Sequence, residues 1–242
     1  MIRPRRRRKK SKRPPVPTPR KNPQSKYSLR LCLIVFVRNA ISEKLLCKEK
    51  IMETPEEKVA RVVKEEVAVA PYDPNWPRLF EEEKQHLLRC LPPELVRRIE
   101  HFGSTAIPGL PAKPIVDILV EITDLDETRQ RIAPILEEQG YNYFWRPSWG
   151  DDVPPFYAWF IKRDGHGKRT HHIHMVEDCF EHWDRLFFRD YLIGHPEVAK
   201  EYADLKLSLS QVYQDDRVAY TRAKTDFIVR VTGIAKEYYG KA

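Results

Sequence analysis

The chain has 242 residues and a formal charge of +8, enough for one large domain or a smaller domain with an appendage. The charge is unevenly spread: Met1 to Ile41 carries 14 of the 43 Lys and Arg and no acid, so 29 bases face 35 acids in the remainder. A mildly acidic body is a poor non-specific nucleic-acid binder, and the apolar run Leu31 to Val37 is far shorter than the ~20 residues a membrane span needs.

Met1 to Arg30 is rich in Arg, Lys and Pro and poor in apolar residues, which predicts disorder. Its RPRRRRKKSKR stretch reads as a nuclear-localisation or nucleic-acid patch, so a nuclear location and a nucleic-acid partner follow only if residues 1–13 belong to the natural chain. Met52 opens METPEEKVARVV, an alternative start for an intracellular protein, which divides the chain into a basic tail (1–51), a linker or edge element (52–70) and a main domain (71–242). Cys32, Cys47, Cys90 and Cys179 are scattered without a C-x-x-C pair and read as reduced thiols of a cytoplasmic protein.

Glu56 to Val69 predicts a short helix or strand. Asn75-Trp76-Pro77 then reads as a helix cap followed by an early-turn proline, with Leu79, Phe80, Leu87, Leu88 and Leu91 at helical spacing before Pro92-Pro93. Val96 to Phe102 predicts a strand, and Gly103 to Pro114 a proline-interrupted loop. Ile115 to Ile122 is a nearly continuous apolar and β-branched run, the pattern of a strand buried on both faces. Leu125 to Gln139 predicts an amphipathic helix ended by Gly140, and Tyr141 to Trp145 a third strand. Phe156 to Arg163 and Thr170 to Glu177 predict a hairpin around Asp164-Gly165. Helices follow over Phe180–Ile193, Pro196–Tyr213 and Asp216–Tyr239. The expected class is α+β: a mixed sheet flanked by helices, with a helical C-terminal third.

The chemistry concentrates in HFGSTAIPGLPAKPIVDILVEI, His101 to Ile122. Gly103 lets backbone approach an anion and Ser104 adds a hydroxyl donor. Asp117 is a carboxylate inside a strand, which needs a partner such as a cation. His172 and His174, at i and i+2 of a strand, share a face and can bind metal or pair a base with a phosphate. Lys113, Lys168 and Arg169 are candidate phosphate contacts. Trp145, Trp149, Phe156, Tyr157 and Trp159 form an aromatic group that suits core packing or base stacking.

This stretch resembles the nucleotidyltransferase-fold superfamily, and more closely the GrpB family. The matching segments are PYDPNWPRLFEEE, HFGSTAIPGLPAKPIVDILVEI, RTHHIHMVE, LFFRDYLIGHPEVAKEYADLK and AYTRAKTDFI, spread over about residues 71–242. The resemblance implies a nucleotidyltransferase-like fold and a nucleotide or phosphorylated small molecule as ligand, with a nucleotidyl or phosphoryl group as the thing transferred if the protein is an enzyme. An alternative is a catalytically inert module that senses a nucleotide or docks a protein partner, for example one of coenzyme A biosynthesis. Gly103, Ser104, Lys113, Arg169, Tyr220 and Lys224 would contact the phosphates or nucleotide, Tyr220 and Lys224 from one turn of a helix. Asp117, His172 and His174 would form the catalytic and metal-binding set for Mg²⁺ or Mn²⁺. Two-metal phosphoryl chemistry wants carboxylates at Asp117 and two residues on; here that position is Leu119, and Glu121 reads as a strand-end acid facing water. Lys206 reads as a surface or helix-pair residue, and Arg189-Asp190 as an ion pair joining helix to sheet.

Overall fold

Helix α1 (Trp76–Cys90) opens the first layer. Pro77 falls in its first turn as expected, but the Asn75 side chain makes no cap. Asp73 Oδ1 accepts from the Asn75 amide at 2.8 Å, an Asx turn that fixes the approach to the helix without capping it. The computed structural model describes residues 67–147 and 154–241, and these belong to one compact unit, Glu56–Ala242. The basic tail, the start at Met52, residues 56–66 of the first candidate element and Trp149 lie outside the described residues.

Strand β1 (Val96–Phe102) runs as predicted into a short 3-10 turn at Ser104–Ala106, and β2 (Val116–Ile122) follows the proline-rich loop. The loop is pinned by an antiparallel bridge between Ala70 and Ala112. The expected helix over Leu125–Gln139 is interrupted: α2 (Leu125–Glu127) passes through a π turn at Thr128–Ile132 into α3 (Ala133–Glu138). Pro134 supplies the reason, since it has no N–H to continue the regular ladder. Strands β3 (Asn142–Pro147), β4 (Phe156–Arg163) and β5 (Arg169–Val176) complete a five-stranded sheet in the order β1-β2-β5-β4-β3. β2 and β5 pair in parallel and the other neighbours are antiparallel, so the sheet is mixed and the α+β expectation holds.

The C-terminal third is helical: a 3-10 turn at Glu181–Trp183, then α4 (Asp184–Gly194), α5 (Pro196–Val212), α6 (Arg217–Arg222) and α7 (Thr225–Tyr238). The last two replace the single helix expected over Asp216–Tyr239. Asp216 caps α6 through Ala219 N at 2.9 Å, and the chain turns at Ala223-Lys224 before α7.

Strand alternation sorts the sheet residues onto two faces. Ile118, Val120, Phe160, Ile173 and Met175 pack with Trp76, Leu87 and Leu136 in the main core. Phe102, Leu119, Tyr157, Trp159, Ile161 and Val176 form a second cluster on the other face, packed against Phe180, Trp183 and Leu186. A third cluster, from Ile107 and Leu110 to Phe188, Tyr202, Phe227 and Val231, fastens the proline-rich loop to the C-terminal helices. Among the described residues no helix is long and apolar enough to cross a membrane.

Candidate functional site

The site forms where β1 ends beside the start of β2 and β5. Gly103 has φ 72°, a conformation open to glycine and strained for other residues. The space is as restrictive as the torsion: a Cβ at Gly103 would lie 2.6 Å from Asp117 Oδ2. Both the backbone turn and the close approach to the carboxylate therefore require glycine.

The parallel register places Asp117 opposite His172 and Leu119 opposite His174, all on one face. His172 Nδ1 is 3.1 Å from Asp117 Oδ1, and Arg169 Nη1 is 3.4 Å from His172 Nε2. A guanidinium only donates, so Nε2 accepts, and Nδ1–H donates to Asp117. Burial pushes His172 down to about 4 and His174 well below the usual imidazole value, so both rings are neutral at pH 7 with nitrogen lone pairs to offer. Burial alone would raise the Asp117 carboxyl. The His172 hydrogen bond and the neighbouring charges, Lys113 and Lys224 among them, outweigh it and hold Asp117 below the usual carboxylate range.

The donor atoms of Asp117, His172 and His174 all lie within 4.8 Å of one another, and His174 Nδ1 is buried with no hydrogen-bond partner. This set fits one divalent ion; a cation taking His172 Nδ1 displaces the proton now donated to Asp117. It does not fit a pair of ions. Leu119 is fully buried in the second apolar cluster with Phe102 and Trp159. Glu121 is half-buried and ion-paired with Arg98 at 3.4 Å, so the expectation of a freely solvated acid is corrected: Arg98 on the adjacent strand holds it, and it is no second ligand.

Cations surround the carboxylate. Lys113 is pushed well below its usual value, first by burial and then by Arg217 and Lys224. Lys224 is brought down to about 8, again by burial first, with Asp117 opposing the shift. The two ammonium groups flank one ring, Lys113 Nζ at 5.2 Å and Lys224 Nζ at 4.3 Å from the Tyr220 centroid. Tyr220 is 1% exposed, so it holds two lysines by cation–π contact. Tyr220 and Lys224 do not share a helix; they meet across the break between α6 and α7. Arg169 is buried beside His172, whereas Lys168 is exposed in the hairpin turn.

Several contributors were not legible as site residues. Arg217, at the start of α6, acts on both Lys113 and Lys224. Lys206 is 1% exposed, which corrects its reading as a surface residue. Its ammonium donates to the carbonyl of Pro111 inside the proline-rich loop, and burial lowers it to about 7. One turn earlier, burial pushes the Tyr202 hydroxyl up, and the neighbouring Ser104 side chain opposes that push. Helix α5 thus grips the Gly103–Lys113 loop at both ends. The sequence signal was there: Val198, Tyr202 and Lys206 repeat every four residues along one stripe. Arg189 does join helix to sheet, bonding Asp190 at 2.6 Å and the His101 carbonyl at 2.6 Å. The aromatic group divides: Trp145 stacks on Phe156 at 5.7 Å, while Tyr157 and Trp159 line the site face.

A buried carboxylate beside a glycine turn, with two imidazoles and two lysines close by, marks the candidate site of this α+β fold. Residues 66–233 match the GrpB protein family, and the chain belongs to that family. It is 41% identical over 178 residues to a UPF0157 protein of Pseudomonas aeruginosa, covering 70% of this chain and 67% of the relative. It is 39% identical over 168 residues to the glutamate-rich protein GrpB of Alkalihalophilus pseudofirmus, covering 69% and 94%. The crystal structure of conserved protein GrpB from Enterococcus faecalis superposes with a TM-score of 0.62 at 34% identity, over 71% of this chain and 99% of that one.

Proposed function

We propose that this GrpB-family protein binds a nucleotide or another phosphorylated small molecule, with nucleotidyltransferase-like use of its site. One observation carries the reading: the ammonium groups of Lys113 and Lys224 flank Tyr220 and both act on the Asp117 carboxylate. Two lysines gathered on one carboxylate in a partly desolvated place suit a phosphate chain, which neutralises them. Gly103 and Ser104 offer close backbone approach and a hydroxyl to the same phosphates. Asp117 and His174, with His172 after loss of its Nδ1 proton, would hold one divalent ion. Imidazole donors suit Mn²⁺ better than Mg²⁺. When bound, that ion supplies charge neutralisation of a phosphoryl oxygen. The protein's own contribution is orientation: Arg169 fixes the His172 tautomer, His172 fixes the Asp117 carboxylate, and α5 fixes the loop.

Leu119 favours a second reading, a binding module without turnover, because the two-ion chemistry has no second carboxylate here. One experiment separates them. Calorimetric titration with nucleoside triphosphates and Mn²⁺ is paired with a turnover assay, on wild type and Asp117→Ala. Binding with Mn²⁺-dependent turnover that Asp117→Ala abolishes supports group transfer. Binding without turnover supports the module. Absence of binding by any triphosphate, with the wild type folded, overturns both.

A further inference from the structure

His182, on the 3-10 turn ahead of α4, is 2% exposed, yet neither of its ring nitrogens has a hydrogen-bond partner. Buried polar groups in folded proteins are normally satisfied. An apolar side chain at this place would avoid the cost of burying an unpaired one. The position is firmly set. The ring lies 4.7 Å from Tyr157 and 4.9 Å from Phe180 between centroids, and the next residue, Trp183, donates its Nε1 proton to the Glu177 carbonyl at 2.9 Å. The third ring against it is His174 at 5.7 Å, whose Nδ1 is likewise buried without a partner. A neutral imidazole presents one donor and one acceptor, and burial with the Arg185 and Arg146 guanidinium groups keeps His182 neutral. Two imidazoles that share an N–H···N bond stand about 5 Å apart between centroids. The observed 5.7 Å is a small ring rotation away from that contact.

Within the candidate metal set, Asp117 and His172 hold one another at 3.1 Å, and Arg169 holds His172 from its other nitrogen. His174 needs a support of its own. When one of its nitrogens ligates an ion, the other carries the ring proton, and a buried N–H needs an acceptor. Of the rings around His174, Phe102 has no acceptor and Trp159 only donates. Tyr157 is stacked on His174 at an interplanar angle of 13°, so it lies off the ring plane in which the N–H points. The nitrogens of His172 are engaged by Asp117 and Arg169, which leaves His182. We infer that His182 is a positioning residue of the candidate metal set, accepting the His174 N–H and fixing that ring's tautomer and its direction toward the ion. This rests on the metal-binding reading of Asp117, His172 and His174. The ligand atoms within 4.8 Å of one another belong to those three residues, and His182 meets the set at His174. Loss of such a partner lowers metal affinity roughly 10- to 100-fold.

The test combines calorimetric titration of Mn²⁺ with thermal melts of the metal-free protein, on wild type, His182→Leu, His182→Asn and His182→Gln. His182→Leu is expected to bind Mn²⁺ roughly 10- to 100-fold more weakly. Its metal-free midpoint stays at or above that of wild type, because an unpaired buried imidazole is gone. Whichever amide variant sets its carbonyl oxygen against His174 recovers most of the affinity. A histidine with only a structural role gives the opposite result, a lower midpoint with Mn²⁺ affinity unchanged. Wild-type Mn²⁺ affinity in His182→Leu overturns the inference and leaves the metal set standing, as does a loss that neither amide recovers. Imidazole nitrogen NMR of the wild type with Zn²⁺, a diamagnetic ion that imidazole also suits, covers the case of a variant that does not fold. A His174 N–H coupled to a His182 nitrogen across the hydrogen bond is expected, and an uncoupled His182 overturns the inference. Absence of Mn²⁺ and Zn²⁺ binding by the folded wild type removes the metal set, and the role of His182 with it.

Discussion

Two buried charge clusters lie on opposite faces of the same sheet, and they are built differently. On the core face, Glu83 is 2% exposed. It accepts from the Tyr141 hydroxyl at 2.5 Å and from the Lys162 ammonium. One anion, one cation and one hydroxyl satisfy one another, and the cluster closes. On the site face, among the described residues, the Asp117 carboxylate meets two lysines, Lys113 and Lys224, and unpartnered imidazole nitrogens lie nearby. A buried ionic network whose charges balance is a structural device. One that gathers two lysines on one carboxylate beside unpartnered imidazoles suits a ligand that brings negative charge.

The largest effect should come from breaking the balanced cluster. Glu83→Ala strands the Tyr141 hydroxyl and removes the counterion of Lys162. It should lower stability by about 3 kcal/mol, read as a drop in the denaturation midpoint, while leaving tripolyphosphate affinity at the wild-type value. A Glu83→Ala protein of wild-type stability would erase the distinction between the two clusters. Gly103→Ala should have the next largest effect, about 1–2 kcal/mol. It strains a φ of 72° and drives a methyl group into Asp117 Oδ2. Unlike Glu83→Ala it should also weaken Mn²⁺ binding, since the carboxylate must move. Unchanged Mn²⁺ titration in Gly103→Ala would show that Gly103 is needed for the turn alone.

The sheet was legible because its strands carry their pattern locally. Val96–Phe102 and Phe156–Arg163 have the predicted bounds, and the H-x-H row in β5 alternates as a strand must. Asp117, His172 and His174 read together as one candidate metal set, but that Asp117 stands opposite His172 comes from the parallel β2–β5 pairing, a long-range fact that no local pattern contains. The helical errors have local causes: Pro134 inside an otherwise amphipathic stretch, and a chain turn at Ala223-Lys224 without glycine or proline to announce it. Lys206 was misread for a different reason. A lysine on a helix is solvated unless a polar atom waits for it inside, and the Pro111 carbonyl that receives it lies far along the chain.

The smallest effect is the one that inverts the comparison. Removing a charge from the unbalanced cluster should stabilise the protein. Lys224 sits at about 8 in the folded chain against an ordinary value of 10.5. Between those values the unfolded chain binds more protons than the folded one, so stability rises with pH across that window. Below it, at pH 7, the penalty for holding a charged Lys224 beside Lys113 and Arg217 is fully present. Lys224→Met should therefore gain about 1 kcal/mol at pH 7 and flatten the rise in stability above pH 8. Anion binding should move the other way. Protonated Lys224 favours phosphate, so wild-type affinity for tripolyphosphate falls as pH rises through about 8. In Lys224→Met affinity at pH 7 is lower by roughly 10-fold, and that part of the pH dependence disappears. Thermal melts and calorimetric titrations from pH 7 to 10 measure both. If Lys224→Met loses stability together with affinity, the site-face cations are a structural network like the one at Glu83, and the surplus charge has to be explained by the fold.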